Sequence, residues 1–263
     1  MKKQILDLTV RSAEHIHERY VLLKLTAADP LPAMVPGQFV EVRVDHTPTT
    51  FLRRPISINF VDRANNELWL LVAAVGDGTR SLAALRSGDS LNCVLPLGRG
   101  FTMPSSPSER LLLVGGGVGV APLLYMGAEM QAQGCEPTFL LGARSASDLL
   151  MLSEFRKYGR VFVTTEDGTS GERGFVTQHS LLVQESFDRI ATCGPKPMMM
   201  AVGRYARKSG IDCEVSLENM MACGVGACLC CVGRPLKVIC VYVRKARYLT
   251  LTNYYGSFKC KNR

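Results

Sequence analysis

The chain has 263 residues, of which 47% are hydrophobic and 21% charged, and this composition excludes an intrinsically disordered protein. The length allows two folded cores and a small appendage. All of the net charge of +8 lies in residues 234–263, which hold eight Lys and Arg but no Asp or Glu. The remaining 23 basic and 23 acidic residues balance, so we expect no nucleic-acid partner.

The N-terminal sequence MKKQILDLTVRSAEH is basic but lacks the apolar run of a secretory signal, so we expect a cytoplasmic protein. The longest uncharged stretch, residues 111–128, contains five glycines and one proline. These residues favour a strand, a turn and a helix start over a membrane span, and no membrane association is expected. In a reducing compartment, the ten cysteines are expected to be metal ligands or buried side chains rather than disulfides.

Residues 1–102 contain short alternating runs, YVLLKL, QFVEVRV and ELWLLVAAV, which predict an antiparallel β-barrel. Two motifs in this section suit a flavin dinucleotide, which needs a cation for its phosphates, an extended backbone beside its ring and small residues at its pyrophosphate. An exposed turn and a hairpin loop are the structural alternatives. The candidates are Arg54, Pro55, Ile56 and Ser57 in the first motif, with Gly78 and Thr79 in the second.

Residues 103–213 begin with a linker, TMPSSPSE at 102–109, and continue with alternating strands and helices. The order LLLVGGG, APLLYMGAEMQAQG, TFLLGA, SDLLMLSEFRKYG and RVFVTTEDG predicts an α/β doubly wound parallel sheet. The segment TTEDG, 164–168, ends a parallel strand, where ligands collect in such sheets, although a simple turn is the alternative.

The strand LLLV runs directly into a glycine-rich turn, and the following helix opens at Pro122, where a standard dinucleotide fingerprint has its third glycine. Such a turn lets backbone N–H groups and the positive helix end approach a pyrophosphate. A close contact between strand and helix is the alternative. The candidate glycines are Gly115, Gly116, Gly117 and Gly119.

Residues 214–263 open with ENMMACGVGACLCCVG, in which Cys223, Cys228 and Cys231 are separated by four and then two residues. This spacing is that of a plant-type 2Fe–2S loop, and the intervening glycines let amide groups face sulfur. Structural zinc is the main alternative, but it favours paired Cys-x-x-Cys knuckles. We expect Cys230 to be a neighbour rather than a ligand.

The glycine-rich turn together with CGPKPMM, 193–199, resembles the nicotinamide half of the ferredoxin-NADP reductase superfamily. The resemblance implies that Cys193, Gly194 and Pro195 lie near the nicotinamide of NAD. The motifs RPIS and GDGT resemble the FAD barrel of that superfamily, and the resemblance adds Leu71, Val72 and Ala73 to the FAD-binding residues.

The order of FAD-binding barrel (1–102), NAD-binding α/β domain (103–213) and 2Fe–2S segment (214–263) resembles the electron-transfer subunit family of dihydroorotate dehydrogenase B. This multi-domain resemblance implies an oxidoreductase subunit without a catalytic dihydroorotate site of its own. Electrons would pass from a separate FMN-containing catalytic subunit through the 2Fe–2S cluster and FAD to NAD+, in pyrimidine biosynthesis. It also implies a heterotetramer with two copies of each subunit.

The sequence departs from the family after Val232, where a segment resembling Cys-x-x-Gly-Pro-Val-Phe should supply the fourth cluster ligand. One permitted codon spelling of Tyr242–Thr250, read from the third base of the first codon, encodes Cys-Thr-Glu-Gly-Pro-Val-Phe-Asn. We therefore interpret residues 233–263 as frameshifted, a hypothesis that DNA sequencing tests. If the tail is real, Cys240 or Cys260 would have to replace the fourth ligand, and the cluster would be incomplete or absent.

Two other functions fit the same residues. The chain could serve another NAD(P)H-dependent flavin and iron–sulfur reductase that acts with ferredoxin, sulfide or sulfite. It could also be a zinc-bearing interaction module without enzymatic activity, in which case the purified protein would be colourless.

Overall fold

The computed structural model describes residues 2–45, 47–217, 220–233, 240–241 and 248–250. The rest of the segment interpreted as frameshifted, including Cys260, lies outside the described residues. No helix in the described ranges is both long enough and apolar enough to cross a bilayer.

The first part of the chain forms a closed antiparallel barrel with the strand order β1-β2-β5-β4-β3-β6, which confirms the predicted barrel. Alternate side chains, such as Leu23, Leu25, Ile58 and Leu70, point inward and form its core. Its elements are β1 (Gln4–His17), β2 (Tyr20–Thr26), β3 (Phe39–Val42), β4 (Arg54–Asp62), β5 (Glu67–Ala73), α1 (Asp77–Ala83) and β6 (Ser90–Leu97).

The second part forms a sheet in the order β10-β9-β8-β7-β11-β12-β15, parallel except for its last strand. Its elements are β7 (Leu111–Gly116), α2 (Ala121–Ala132), β8 (Thr138–Ala143), α3 (Leu152–Arg156), β9 (Arg160–Thr165), β10 (Glu172–Arg173), α4 (Leu181–Gln184), β11 (Arg189–Cys193), α5 (Lys196–Lys208) and β12 (Asp212–Ser216). Near the C-terminus, β13 (Val232–Gly233) pairs with β14 (Cys240–Val241), and β15 (Tyr248–Thr250) pairs with β12. The predicted parallel sheet is confirmed.

Helix α2 joins the two parts of the molecule. It is apolar on all sides and largely buried, as expected for a helix covered on more than one face. The Asn59 side-chain amide on β4 donates a hydrogen bond of 2.9 Å to the carbonyl of Ala121, and the Tyr125 hydroxyl donates one of 3.0 Å to the carbonyl of Met34. These bonds fix the start of α2 against the barrel.

One predicted helix is much shorter than expected. The segment SDLLMLSEFRKYG contains only Leu152–Arg156 as α-helix, preceded by a short 3-10 turn at Ala146–Asp148. Met151 between them has φ +57°, a left-handed conformation that interrupts continuous helical hydrogen bonding. The apolar periodicity was a poor guide here because it does not report this backbone reversal.

The linker at 102–109 is tied to the sheet. Thr102 donates its backbone N–H to Glu214 (3.0 Å), while the Arg189 guanidinium donates to the carbonyls of Thr102 and Met103. Arg189 also forms an ion pair of 2.7 Å with Glu109. Polar contacts therefore fix the passage between the two parts of the molecule.

Candidate functional site

A cavity of about 590 Å³ opens at the carboxyl ends of the parallel strands, where ligands bind in such sheets. Its charged lining residues are two cations, Arg19 and Arg144, and two anions, Asp148 and Glu166. Thr164 also lines it, but its hydroxyl is buried and has no hydrogen-bond partner within the described residues. A polar ligand such as a dinucleotide fits this lining, because the two arginines can donate hydrogen bonds to phosphate oxygens.

The predicted glycines divide into two pairs. Gly116 and Gly117 line the cavity, and Gly117 has φ +55°, which favours glycine. Gly115 does not line it, since a Cβ there would lie 2.9 Å from Leu123 and 3.0 Å from Val120 in the core. A Cβ on Gly119 would lie 2.3 Å from the Cα of Gly194.

The Gly119 contact brings the predicted Cys-Gly-Pro turn directly against the glycine-rich turn. Cys193 is buried and pairs in register with Gly115, whereas Pro195 lines the cavity. Gly194 has φ +155°, and a Cβ there would lie 3.0 Å from the carbonyl oxygen of Gly116. Pro122 is buried in the first turn of α2 and does not line the cavity.

The two predicted flavin motifs lie together although 20 residues separate them. A Cβ on Gly78 would lie 2.9 Å from Arg54 Nε, so the guanidinium rests on the first turn of α1. Thr79 Oγ1 accepts hydrogen bonds from the N–H groups of Val75 and Gly76, both 3.0 Å, which fixes the entry to that turn. A cation beside a small residue at a helix start fits a dinucleotide phosphate.

The remaining flavin candidates lie on β4 and β5. Ile56 and Val72 pack into the barrel core, and Leu71 packs into the core beside the parallel sheet. The side chains of these three residues are therefore committed to packing. Pro55, Ser57 and Ala73 are half-buried.

The strand with the predicted flavin residues Leu71 to Ala73 and the cavity at the sheet edge meet at Tyr20. This residue pairs with Ala73 across β2 and β5, and its side chain lines the cavity. Its hydroxyl lies 4.0 Å from the position that a Cβ on Gly117 would take. The two predicted cofactor regions are thus neighbours, as transfer between two bound cofactors requires.

The cysteine-rich loop is shaped around Cys223. Its Sγ accepts hydrogen bonds from the N–H groups of Ala227 (3.3 Å) and Cys228 (3.5 Å). Burial raises the pKa of Cys223, but the backbone N–H groups of Cys228, Val225 and Ala227 outweigh it and lower the pKa to about 6. A thiolate that can bind a metal is therefore favoured at this position.

The other cysteines of the loop differ in their surroundings, and the Cys228 side chain is a hydrogen-bond partner that lowers the pKa of Cys223. Cys228 and Cys230 are exposed, while Cys231 is buried and packs with Phe39 and Leu97. Among the described residues, no three His, Cys, Asp or Glu side chains are placed to hold a metal ion. The loop fits a thiolate ligand at Cys223, but this arrangement is not a complete site for an iron–sulfur cluster.

Several cavity residues have no signal in the sequence. Arg19 and Tyr20 come from the β1–β2 hairpin, more than 90 residues before the glycine-rich turn, and Asp148 lies in the segment expected to be helical. Met198 lies within the motif CGPKPMM, but the sequence does not indicate that it lines the cavity, where it would contact a Cβ on Gly116 at 2.6 Å. Only the fold brings these side chains to the cavity.

A family model described as an oxidoreductase NAD-binding domain matches residues 113–204. A curated relative from Bacillus velezensis, named dihydroorotate dehydrogenase B (NAD(+)), electron transfer subunit, is 39% identical over 246 residues, covering 93% of this chain and 94% of the relative. A relative with the same name from Fusobacterium nucleatum is 36% identical over 239 residues, covering 89% of this chain and 91% of the relative.

Solved structures share the fold. An NADH-dependent reduced ferredoxin-NADP oxidoreductase has a TM-score of 0.83 at 27% identity, covering 92% of this chain and 87% of that chain. A ferredoxin NADP+ reductase from Neisseria gonorrhoeae with bound FAD and NADP has a TM-score of 0.63 at 15% identity, covering 78% and 92%.

Proposed function

Because this chain belongs to the family of dihydroorotate dehydrogenase B (NAD(+)) electron transfer subunits, we propose that it passes electrons from a separate catalytic subunit through FAD to NAD+. The chain is an NAD-dependent oxidoreductase component, and FAD and NAD are its cofactors. Bound FAD supplies hydride transfer chemistry between the electron donor and the nicotinamide.

The observation that carries this proposal is the meeting of two sites at Tyr20. The strand that holds Ala73 belongs to the proposed flavin site, and the cavity beside Gly117 belongs to the proposed nucleotide site. Reacting groups of two cofactors have to lie within contact distance for direct transfer. Family membership and this adjacency therefore support the same function.

In the proposed nucleotide site, the turn at Gly116 and Gly117 lines the cavity and would hold the diphosphate, helped by the positive end of α2. Gly115, Gly119, Pro122, Cys193 and Gly194 hold the two turns in contact. Pro195 and Met198 form the wall near the nicotinamide.

In the proposed flavin site, Arg54 binds the FAD phosphates above Gly78 and Thr79. Pro55 to Ser57 and Leu71 to Ala73 would provide the backbone beside the ring. The assignment follows from the position of the guanidinium on the first turn of α1.

The cysteine-rich loop is the proposed holder of a 2Fe–2S cluster, with Cys223, Cys228 and Cys231 as ligands. Support comes from the plant-type spacing and from the amide groups that stabilise the Cys223 thiolate. The catalytic partner is proposed to carry FMN, to oxidise dihydroorotate in pyrimidine biosynthesis in the cytoplasm, and to assemble with this chain as two copies of each subunit.

The test starts with the purified full chain. We expect one FAD per chain and NADH-driven reduction of an artificial dye. With the FMN-containing catalytic subunit added, we expect NADH formation that depends on dihydroorotate. A flavin-bearing chain that reduces dye but gives no such activity with that subunit would indicate another reductase. A colourless chain that refuses added FAD would exclude the proposed function altogether.

Iron analysis tests the cluster separately. Substoichiometric iron with full flavin is expected for the sequence as it stands, because the described residues do not assemble a complete ligand set. Stoichiometric iron that persists after Cys223→Ser would exclude the proposed ligands.

A further inference from the structure

The tip of the barrel hairpin forms one side of the nucleotide cavity. Strands β1 and β2 are joined by a two-residue turn at Glu18 and Arg19, with His17 and Tyr20 paired across it. The carbonyl of Arg19 accepts a hydrogen bond of 2.8 Å from the N–H of Ala74, directly after β5. The hairpin tip is thus held in place by the barrel while its side chains face the other part of the molecule.

Tyr20 presents a hydroxyl with no hydrogen-bond partner in the described part of the chain. Its ring is fixed, because it packs in the core beside the parallel sheet and lies 5.7 Å from the ring of His17. Its hydroxyl lies beside the turn at Gly117, 4.0 Å from the position that a Cβ on that glycine would take. A fixed phenol at this position can donate a hydrogen bond to a phosphate oxygen without rearrangement.

Arg19 adds a positive charge beside this hydroxyl. Its guanidinium lies 3.8 Å from Asp148 Oδ1 and is 58% exposed, so the pair is loose. Asp148 is also 4.0 Å from His17 Nε2 and accepts a hydrogen bond from Ser145, so it does not depend on Arg19 alone. Arg19 therefore retains donors that can reach an anion in the cavity.

We propose that Arg19 and Tyr20 bind the diphosphate of the pyridine nucleotide, so that the barrel completes a site otherwise built by the parallel sheet. This inference rests on the proposed function, because it assumes that the cavity takes NAD. It adds two residues from the barrel to the nucleotide site. Nucleotide affinity would then depend on the contacts that hold the barrel against the parallel sheet.

The test measures equilibrium binding of NAD+ and of ADP-ribose to the oxidised, flavin-loaded protein by titration calorimetry. ADP-ribose carries the diphosphate but lacks nicotinamide. Tyr20→Phe keeps the ring and removes only the hydroxyl, and it is expected to raise the Kd of both ligands about ten-fold. Arg19→Gln is expected to raise both Kd values about three-fold to ten-fold, and Arg19→Lys to restore part of the loss.

Arg11→Gln is the matched control, since Arg11 lies on β1 of the same hairpin, is exposed and pairs with Glu67 away from the cavity. It should leave both Kd values unchanged. Raising the salt concentration should weaken wild-type binding more than binding by Arg19→Gln. Flavin content and melting temperature, which should match the wild type, establish that the variants fold.

The outcomes distinguish a failure of the hairpin assignment from a failure of the proposed function. If the wild type binds NAD+ and ADP-ribose and both variants bind them equally well, the hairpin assignment is wrong. An effect on NAD+ without an effect on ADP-ribose would also overturn it, because the contact would then lie at the nicotinamide. If the flavin-loaded wild type binds neither ligand, the proposed function fails instead.

Discussion

Replacement of Gly78 by alanine tests the flavin site through two effects of opposite sign. The new Cβ would lie 2.9 Å from Arg54 Nε and 3.1 Å from Thr50 Cγ2, whereas ordinary contacts are 3.4–4 Å. The guanidinium would have to withdraw by 0.5–1.1 Å, the difference between these distances. Such a shift is large compared with the tolerance of a charge-assisted hydrogen bond to phosphate.

A hydrogen bond to a charged group contributes about 1.5–3 kcal/mol, so losing it fully raises the Kd of FAD by about ten-fold to one hundred-fold. We expect the lower end for Gly78→Ala, because the flexible arginine can recover part of the contact. In the flavin-free protein the same change should raise the free energy of unfolding by up to about 1 kcal/mol, since alanine favours a helix over glycine.

The assay compares FAD affinity, by quenching of flavin fluorescence, with the melting temperature of the flavin-free protein. Arg54→Gln should weaken FAD by about ten-fold or more, and Arg86→Gln, an exposed charge on the barrel surface, should not. In the double variant, Gly78→Ala should add no further loss, because the guanidinium it displaces is absent. The assigned contact would be refuted if Gly78→Ala left the FAD affinity unchanged. It would also be refuted if Gly78→Ala weakened FAD binding as much in the Arg54→Gln background as it does in the wild type.

Three further changes test other parts of the molecule. Gly119→Ala should lower the free energy of unfolding by about 1–3 kcal/mol, because its Cβ meets backbone of Gly194 that no side-chain rotation can move. Gly116→Ala should lower it less, because its Cβ meets the flexible side chain of Met198. Equal melting temperatures for the two variants would contradict this. The alkylation rate of Cys223 in the metal-free protein should rise through about pH 6 and level off about one to two pH units higher, since its pKa is lowered to about 6. Peptide mapping checks this, and a rate that still climbs steeply up to pH 9 would contradict the lowered pKa. Glu109→Gln should destabilise the protein by about 1 kcal/mol at pH 7 in urea denaturation. Burial raises the pKa of Glu109, but hydrogen bonds from Ser105 and the charge of Arg189 outweigh it and hold the pKa below its ordinary value of 4.5. The stabilisation is therefore complete above pH 4.5 and is lost as the pH falls through the folded pKa, so a difference that persists undiminished at low pH would contradict the ion pair.

The fold was largely predictable because its signals are local. Alternating apolar residues in β2 and β5 and the apolar runs of β7 and β8 each indicate a strand within a few residues. The shortened α3 shows the limit of this reasoning, because the reversal at Met151 depends on backbone packing that periodicity does not carry.

The candidate site was predictable only in part. The sequence places Gly115, Gly116, Gly117 and Gly119 in one turn, but neighbours from other elements decide their separate roles. The same holds for Arg54 and Gly78, which the barrel brings into contact.

The sequence by itself determined the order of the two folded parts, the motifs that suit FAD and NAD, and the thiol spacing of the C-terminal loop. Tertiary structure alone decided that Tyr20 and Asp148 reach the nucleotide cavity and that Cys231 packs against Phe39 and Leu97 of the barrel. The physical reason is that turn chemistry and apolar periodicity act over a few residues, whereas contacts between distant segments arise only when buried surfaces pack together.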